Sequence, residues 1–198
     1  LTERENITLT GWGEPFLHPQ LFEMVDYCKK RGHRVAITSN GLFTKESIVD
    51  EILNSELDEV TFSIDGIEDN SVSCGHTSNK VYANIEKIAK LRETGRPSIR
   101  LQSTLHEGCE KDLYDVIKFG ASIGIEAVNV GRIDRKYAPN LKRPSQVEEE
   151  RIFYEADRIA NECGIRLDWL QYAVGKRIVR FFYRLLRRQL HKSGKYCL

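Results

Sequence analysis

An α/β protein built on a parallel sheet is the fold class this sequence predicts, and three observations carry it. Short apolar, β-branched runs alternate with segments of helical periodicity along most of the 198 residues. The runs are nearly continuous in apolar residues, as expected of strands covered on both faces. Each run ends in glycines or small polar residues, and the long polar connections follow those ends. Parallel sheets of this kind have right-handed crossovers and bind ligands at the carboxyl ends of their strands. An open doubly wound sheet and a full or partial (β/α) barrel both satisfy the pattern.

Taken in order, the first run covers residues 6–12 and stops at Gly11-Trp12-Gly13-Glu14-Pro15. The glycines let backbone approach a ligand, and Pro15 drives Glu14 out of the helical region. Leu17, Leu21, Met24, Val25 and Cys28 then share a helical face. A second strand over 34–39 ends in Asn40-Gly41, and Thr44 is placed to cap a helix carrying Ile48, Ile52 and Leu53. The third strand, 59–64, ends in Asp65-Gly66. A polar connection over 67–78 leads to a helix with Val81, Ile85, Ile88 and Ala89. Strands at 98–105 and 127–133 flank a helix marked by Leu113, Ile117, Gly120 and Ala121. The connection 134–145 opens a helix with Ile152, Ala156, Ile159 and Cys163, and a sixth strand is expected over 165–170.

The remainder differs. Over 174–191, Ile178, Phe181, Phe182, Leu185 and Leu186 form one helical face, and Arg177, Arg180, Arg184, Arg187 and Arg188 crowd the rest. The division expected is a core at 1–172 and a basic amphipathic helix at 173–198. That helix serves as a terminal element packed on the domain, or as a docking surface for an anionic substrate, a partner or a membrane surface.

A formal net charge of +1 gives no bulk attraction for nucleic acid. No apolar run reaches membrane-span length, and the N-terminus lacks a signal-peptide pattern, so the expected location is cytoplasmic. The five cysteines, Cys28, Cys74, Cys109, Cys163 and Cys197, are scattered without any CxxC pair. An odd count suits no disulfide framework. Cys28 and Cys163 fall on apolar helical stripes, where a small buried hydrophobe is expected.

The strand ends carry the candidate chemistry. Brought onto one rim they present Glu14, Ser39, Asn40, Ser63, Asp65 and Gln102, mostly acidic or neutral acceptors. No glycine-rich loop carries a lysine, so phosphate is poorly served. An ammonium group joined to hydroxyls suits the set better, such as an amino acid attached to a ribose. Taken singly, Asn40-Gly41 and Asp65-Gly66 are ordinary turn dipeptides, and Glu14 is a plausible helix cap.

Trp12-Gly13-Glu14-Pro15 resembles the Gly-Gly-Glu-Pro motif of radical S-adenosylmethionine (SAM) enzymes, with Trp in place of the first glycine. Thr38-Ser39-Asn40-Gly41 resembles their Thr-Asn-Gly element, and Ser63-Ile64-Asp65-Gly66 their Ser-x-Asp-Gly, in the same order. The resemblance covers roughly residues 6 to 133. It implies a partial (β/α)6 TIM-like barrel whose first strand and cluster loop are missing here. It also implies that Gly13, Glu14 and Pro15 meet the methionyl ammonium of SAM. Ser63 and Asp65 then face its ribose and carboxylate end, and Val130 and Gly131 approach the adenine through backbone. Ser39, Asn40 and Gln102 complete the expected cofactor-binding set.

The activity so implied is reductive cleavage of SAM beside a [4Fe–4S] cluster, giving a 5′-deoxyadenosyl radical that abstracts hydrogen from a substrate. The family's Cys-x-x-x-Cys-x-x-Cys loop is absent, so its thiolates are expected upstream of Leu1 and this segment alone is expected to be inactive. Relatives often carry an arginine near the place where Cys74-Gly75-His76 stands here. Cys197 resembles the first cysteine of a SPASM or twitch extension, which favours a peptide substrate. A flavodoxin or ferredoxin is the electron donor the resemblance implies. Two alternatives remain: a non-catalytic SAM- or nucleotide-binding barrel, and an unrelated (β/α)-barrel lyase. A lyase needs a lysine or a His/Asp metal cluster at strand ends. Here Lys80 and Lys111 fall in helices, and His18 and His106 stand alone. His18 reads as structural, whereas His106 is a candidate lining of a substrate cavity.

Overall fold

The computed structural model describes residues 4–43, 45–66, 79–93, 95–134, 136 and 138–170. The chain divides into two units, Leu1–Asp168 and Trp169–Leu198, and the second is described only at Trp169 and Leu170. Six strands alternate with helices: β1 (Asn6–Leu9), a 3₁₀ turn (Pro15–Leu17), α1 (Leu21–Lys29), β2 (Arg34–Ser39), α2 (Ser47–Asn54), β3 (Glu59–Ser63), α3 (Asn79–Leu91), β4 (Ser98–Leu105), α4 (Glu110–Ser122), β5 (Ala127–Arg132), α5 (Gln146–Cys163) and β6 (Arg166–Trp169).

The strands form one parallel sheet in the order β1-β2-β3-β4-β5-β6, and β6 does not pair back onto β1 among the described residues. A strictly sequential order with right-handed crossovers sends every helix to the same face. A doubly wound sheet needs a reversal of strand order, and none occurs here. The architecture is therefore an open, partial TIM-like barrel.

On the helix-covered face, Val35, Ile37, Val60, Phe62, Ile99, Leu101, Leu105, Val128 and Val130 are buried. Val25, Ile52, Ile85, Ile88, Leu113, Ile117, Ile152 and Ala156 pack from the helices. The other face differs from the expectation of strands apolar throughout. Register places Thr38, Thr61, Arg100 and Ala127 in one row, and Ser63, Gln102 and Asn129 in the next. Arg100 lies along this face. Its Nε donates to Glu59 Oε2 at 2.9 Å, and its Nη1 donates to Asp168 Oδ2 at 3.1 Å and to Asn129 Oδ1 at 3.4 Å. The reason is the open barrel: helices cover only its outer side, so the concave side keeps polar groups. Period-two parity separates the two faces in β4, whose residues alternate strictly between half-buried and buried.

Element ends depart modestly from expectation. Strand β1 stops at Leu9, well before Trp12, because its register with β2 ends at Leu9↔Ile37 and the glycine–proline stretch turns away. Leu17 sits exposed in the 3₁₀ turn, not on the stripe of α1. Thr44, expected as an N-cap, lies outside the described residues; α2 starts after Glu46, whose side chain makes no cap bond. Strands β3 and β5 each end one residue early, although Ile64 N and Ile133 N still donate to Gln102 O and Leu105 O.

Helix α5 has a capping box that the sequence reading passed over. Ser145 Oγ accepts from Glu148 N, and Glu148 Oε2 accepts from Ser145 N. Gly164, at φ 72°, closes the helix in the left-handed conformation. Cys163 is exposed and not buried, since it is the helix's last residue. Ser145→Ala is expected to cost about 1 kcal/mol of unfolding free energy, read from a urea titration.

Candidate functional site

The carboxyl ends of β1 and β2 are joined by one side chain. Glu14 has extended backbone before Pro15 and caps the 3₁₀ turn: Phe16 N donates to Oε1 at 3.2 Å. Ser39 Oγ donates to the same oxygen at 2.8 Å, and Asn40 N donates to Oε2 at 2.8 Å. A carboxylate offers about four acceptor directions. Three are used here, and the one remaining is on Oε2. Both readings of Glu14, cap and rim carboxylate, thus describe the same residue.

The loop after β2 is held as firmly. Ser39 Oγ accepts from Gly41 N at 3.0 Å, and Asn40 Oδ1 accepts from Leu42 N at 2.8 Å, an Asx turn. Asn84 Nδ2 in α3 donates to Gly41 O at 3.0 Å. Beneath the loop, Phe43 packs edge-on against Phe16 with ring centroids 5.1 Å apart, and against Phe62 of β3 at 6.3 Å. Aromatic burial thereby fixes the entry to β1's turn and the exit from β2 on one core strand.

A similar tie joins the next strand ends: Thr104 N donates to Asp65 Oδ1 at 2.8 Å. Ser63 is exposed, in register with half-buried Gln102 and, beyond it, Asn129. Gly131 follows level with Thr104 on the concave side, and Val130 is buried among the helix-facing residues. Thr104 and Asn129 were missed as candidates; Thr104 follows from counting two residues on from Gln102, whereas Asn129 is reached only through the register of β5 on β4.

Of the expected set, Glu14, Ser39 and Asn40 come together directly, and Ser63, Asp65 and Gln102 form a second group along β3 and β4. Ser39 stands behind Glu14 and not on the surface, being 2% exposed. Trp12 is 92% exposed, so it is not core packing. His106 is 1% exposed and does not line an open cavity. Its Nδ1 donates to Glu107 O at 2.9 Å, and the buried Nε2 has no hydrogen-bond partner among the described residues. His106 N donates to Cys109 Sγ at 3.4 Å, and burial pushes the Cys109 thiol up to about 11, which makes it inert as a nucleophile. Residues 67–78, with Cys74-Gly75-His76, and residues 171–198, with the basic segment and Cys197, lie outside the described residues.

Chemically, the rim suits a small cationic head with hydroxyls. Oε2 of Glu14 can take one charge-assisted bond from an ammonium. Gly11 and Gly13 border open space, where an added Cβ would meet no atom within 4 Å, so a ligand can lie against their backbone. An iron–sulfur cluster is a different matter. Among the described residues no three His, Cys, Asp or Glu side chains gather to hold a metal. Cys28 lies in α1, Cys109 just before α4 and Cys163 at the end of α5. These residues do not fit a cluster.

The fold and the rim define a class: a parallel partial barrel with a fixed carboxylate at the end of its first strand. The chain belongs to the radical SAM superfamily, whose family model matches residues 2–119. It is 31% identical over 137 residues to the tungsten-containing aldehyde ferredoxin oxidoreductase cofactor-modifying protein of Pyrococcus furiosus. That match covers 66% of this chain and 38% of the relative, so the chain spans well under half the relative's length. Among solved structures, a domain of pyruvate-formate lyase-activating enzyme from Bacteroides vulgatus superposes with TM-score 0.65 at 20% identity, covering 82% of this chain and 97% of that one. Streptococcus suis SuiB, bound to its precursor peptide SuiA, superposes with TM-score 0.69 at 14% identity, covering 83% of this chain and 37% of SuiB. Those two likenesses speak to the fold.

Proposed function

We propose that this chain is the SAM-holding core of a radical SAM enzyme. The observation that carries the reading is the Glu14 carboxylate, held by three donors at the end of β1 with one acceptor direction left on Oε2. In this reading Oε2 receives the methionyl ammonium, and the backbone at Gly11 and Gly13 gives the ligand room to lie close. Ser63, Asp65 and Gln102 serve the ribose and carboxylate end, and the backbone at Val130 and Gly131 serves the adenine. Asp65, tied to Thr104 N, is oriented before any ligand arrives.

When bound, the family's cluster and SAM supply one-electron cleavage chemistry. The reading assigns the cluster's thiolates to residues outside those described; among the described residues no three His, Cys, Asp or Glu side chains gather to hold a metal. The core is taken as 1–172, followed in the sequence by the basic segment 173–198, in a cytoplasmic protein reduced by a flavodoxin or ferredoxin. No helix among the described residues is long and apolar enough to cross a membrane. A peptide substrate keeps the support of SuiB, which has been crystallised with one.

The test is product analysis. The intact protein containing this chain, reconstituted anaerobically with iron and sulfide and then reduced in the presence of SAM, is expected to release 5′-deoxyadenosine and methionine. Binding of SAM without either product would favour the non-catalytic barrel. Failure to bind SAM would leave neither reading standing.

A further inference from the structure

We infer that Ser39 is a positioning residue for capture of an ammonium-bearing ligand: it acts through Glu14 and does not touch the ligand. The inference rests on the reading of Glu14 as the ammonium acceptor. Ser39 follows Val35 and Ile37 on the helix-covered side of β2 and is 2% exposed, beyond the reach of a ligand on the rim. A hydroxyl has one proton to give. Ser39 gives it to Glu14 Oε1 at 2.8 Å, while its oxygen accepts from Gly41 N at 3.0 Å. Accepting from a backbone N–H polarises the hydroxyl and strengthens it as a donor.

The consequence is directional. Oε1 already takes two donors, Phe16 N and Ser39 Oγ, whereas Oε2 takes only Asn40 N. An arriving ammonium is therefore steered to Oε2. The last torsion of a glutamate side chain is intrinsically broad. Ser39 narrows it, because the carboxylate is gripped at both oxygens by groups from β2 and its loop. Removing the hydroxyl leaves Oε1 with the 3.2 Å Phe16 contact alone beside the Asn40 N bond to Oε2, and the hold on the carboxylate's orientation loosens. Loss of pre-organisation, not loss of a ligand contact, is the expected defect.

A double-mutant cycle on the intact protein, with SAM affinity read by calorimetry, separates this from a general structural role. Ser39→Ala is expected to weaken SAM binding roughly tenfold when Glu14 is present. In a Glu14→Ala background the same change is expected to shift affinity by less than about twofold. Equal weakening in both backgrounds, or none in either, overturns the inference. Affinity lost in Glu14→Ala but kept in Ser39→Ala overturns it while leaving the ammonium reading in place. Unchanged affinity in Glu14→Ala removes that reading and this inference together. If Ser39→Ala does not fold, Ser39→Cys keeps the volume with only a weak donor, and the same pattern is expected at smaller amplitude.

Discussion

Asp58→Ala is expected to cost about 3–5 kcal/mol of unfolding free energy, the range for a buried pair that loses one partner. Asp58 is buried at the amino end of β3. Lys29 Nζ from α1 lies 2.6 Å from Oδ2, and Val35 N of β2 donates to the same oxygen at 2.8 Å. Its backbone completes the junction, since Asp58 N donates to Val35 O and Ser98 N of β4 donates to Asp58 O, each at 3.0 Å. Truncation leaves a largely buried ammonium unpaired and strands a buried N–H. Burial by itself would raise the Asp58 carboxyl, but the Lys29 bond and the Val35 N–H outweigh it and hold it below the ordinary 3.8. A lowered folded pKa means the contribution is complete above that ordinary value and disappears as pH falls through the folded one. Urea midpoints should therefore fall sharply in acid for the wild type and less so for Asp58→Asn. A loss under about 1 kcal/mol for Asp58→Ala would show the pair to be replaceable.

Gly41→Ala is expected to cost about 2–4 kcal/mol, combining left-handed backbone strain with overpacking. Gly41 has φ +73°, and an added Cβ would lie 2.8 Å from Val81 Cγ1 and 3.3 Å from Phe62 Cδ1. Neither neighbour has room to yield, because Val81 and Phe62 are both buried. The same residue donates its N–H to Ser39 Oγ, so loosening the loop should also weaken the hold on Glu14. Gly32, also at positive φ but bordering open space, is the control, and Gly32→Ala is expected to cost about 1–2 kcal/mol from the backbone alone. Equal losses at the two positions would contradict the packing argument.

Much of the fold was legible because its signals are local. Strands β2 and β4 are bounded by turn residues and carry β-branched runs, and both were located to the residue. Glu14 was legible for the same reason, fixed between glycine and proline at a strand end. What escaped reading depends on parity and register. Counting apolar content over a run hid the fact that alternate residues of β4 point to a polar concave face. Ser39 appeared to be a peer of Glu14 on the rim, although two-residue spacing from Val35 and Ile37 already assigns it to the covered side. The Arg100 contacts with Glu59, Asn129 and Asp168 join four strands, and no local pattern announces them.

The central claim is that the Glu14 carboxylate accepts the ammonium of SAM, and a calorimetric titration of the intact protein with its Glu14→Gln variant tests it most directly. Glutamine keeps the length of the side chain and removes the charge. SAM affinity is expected to fall by about 1.5–3 kcal/mol, the scale of a hydrogen bond to a charged group. An unchanged affinity in a folded Glu14→Gln protein would contradict the claim.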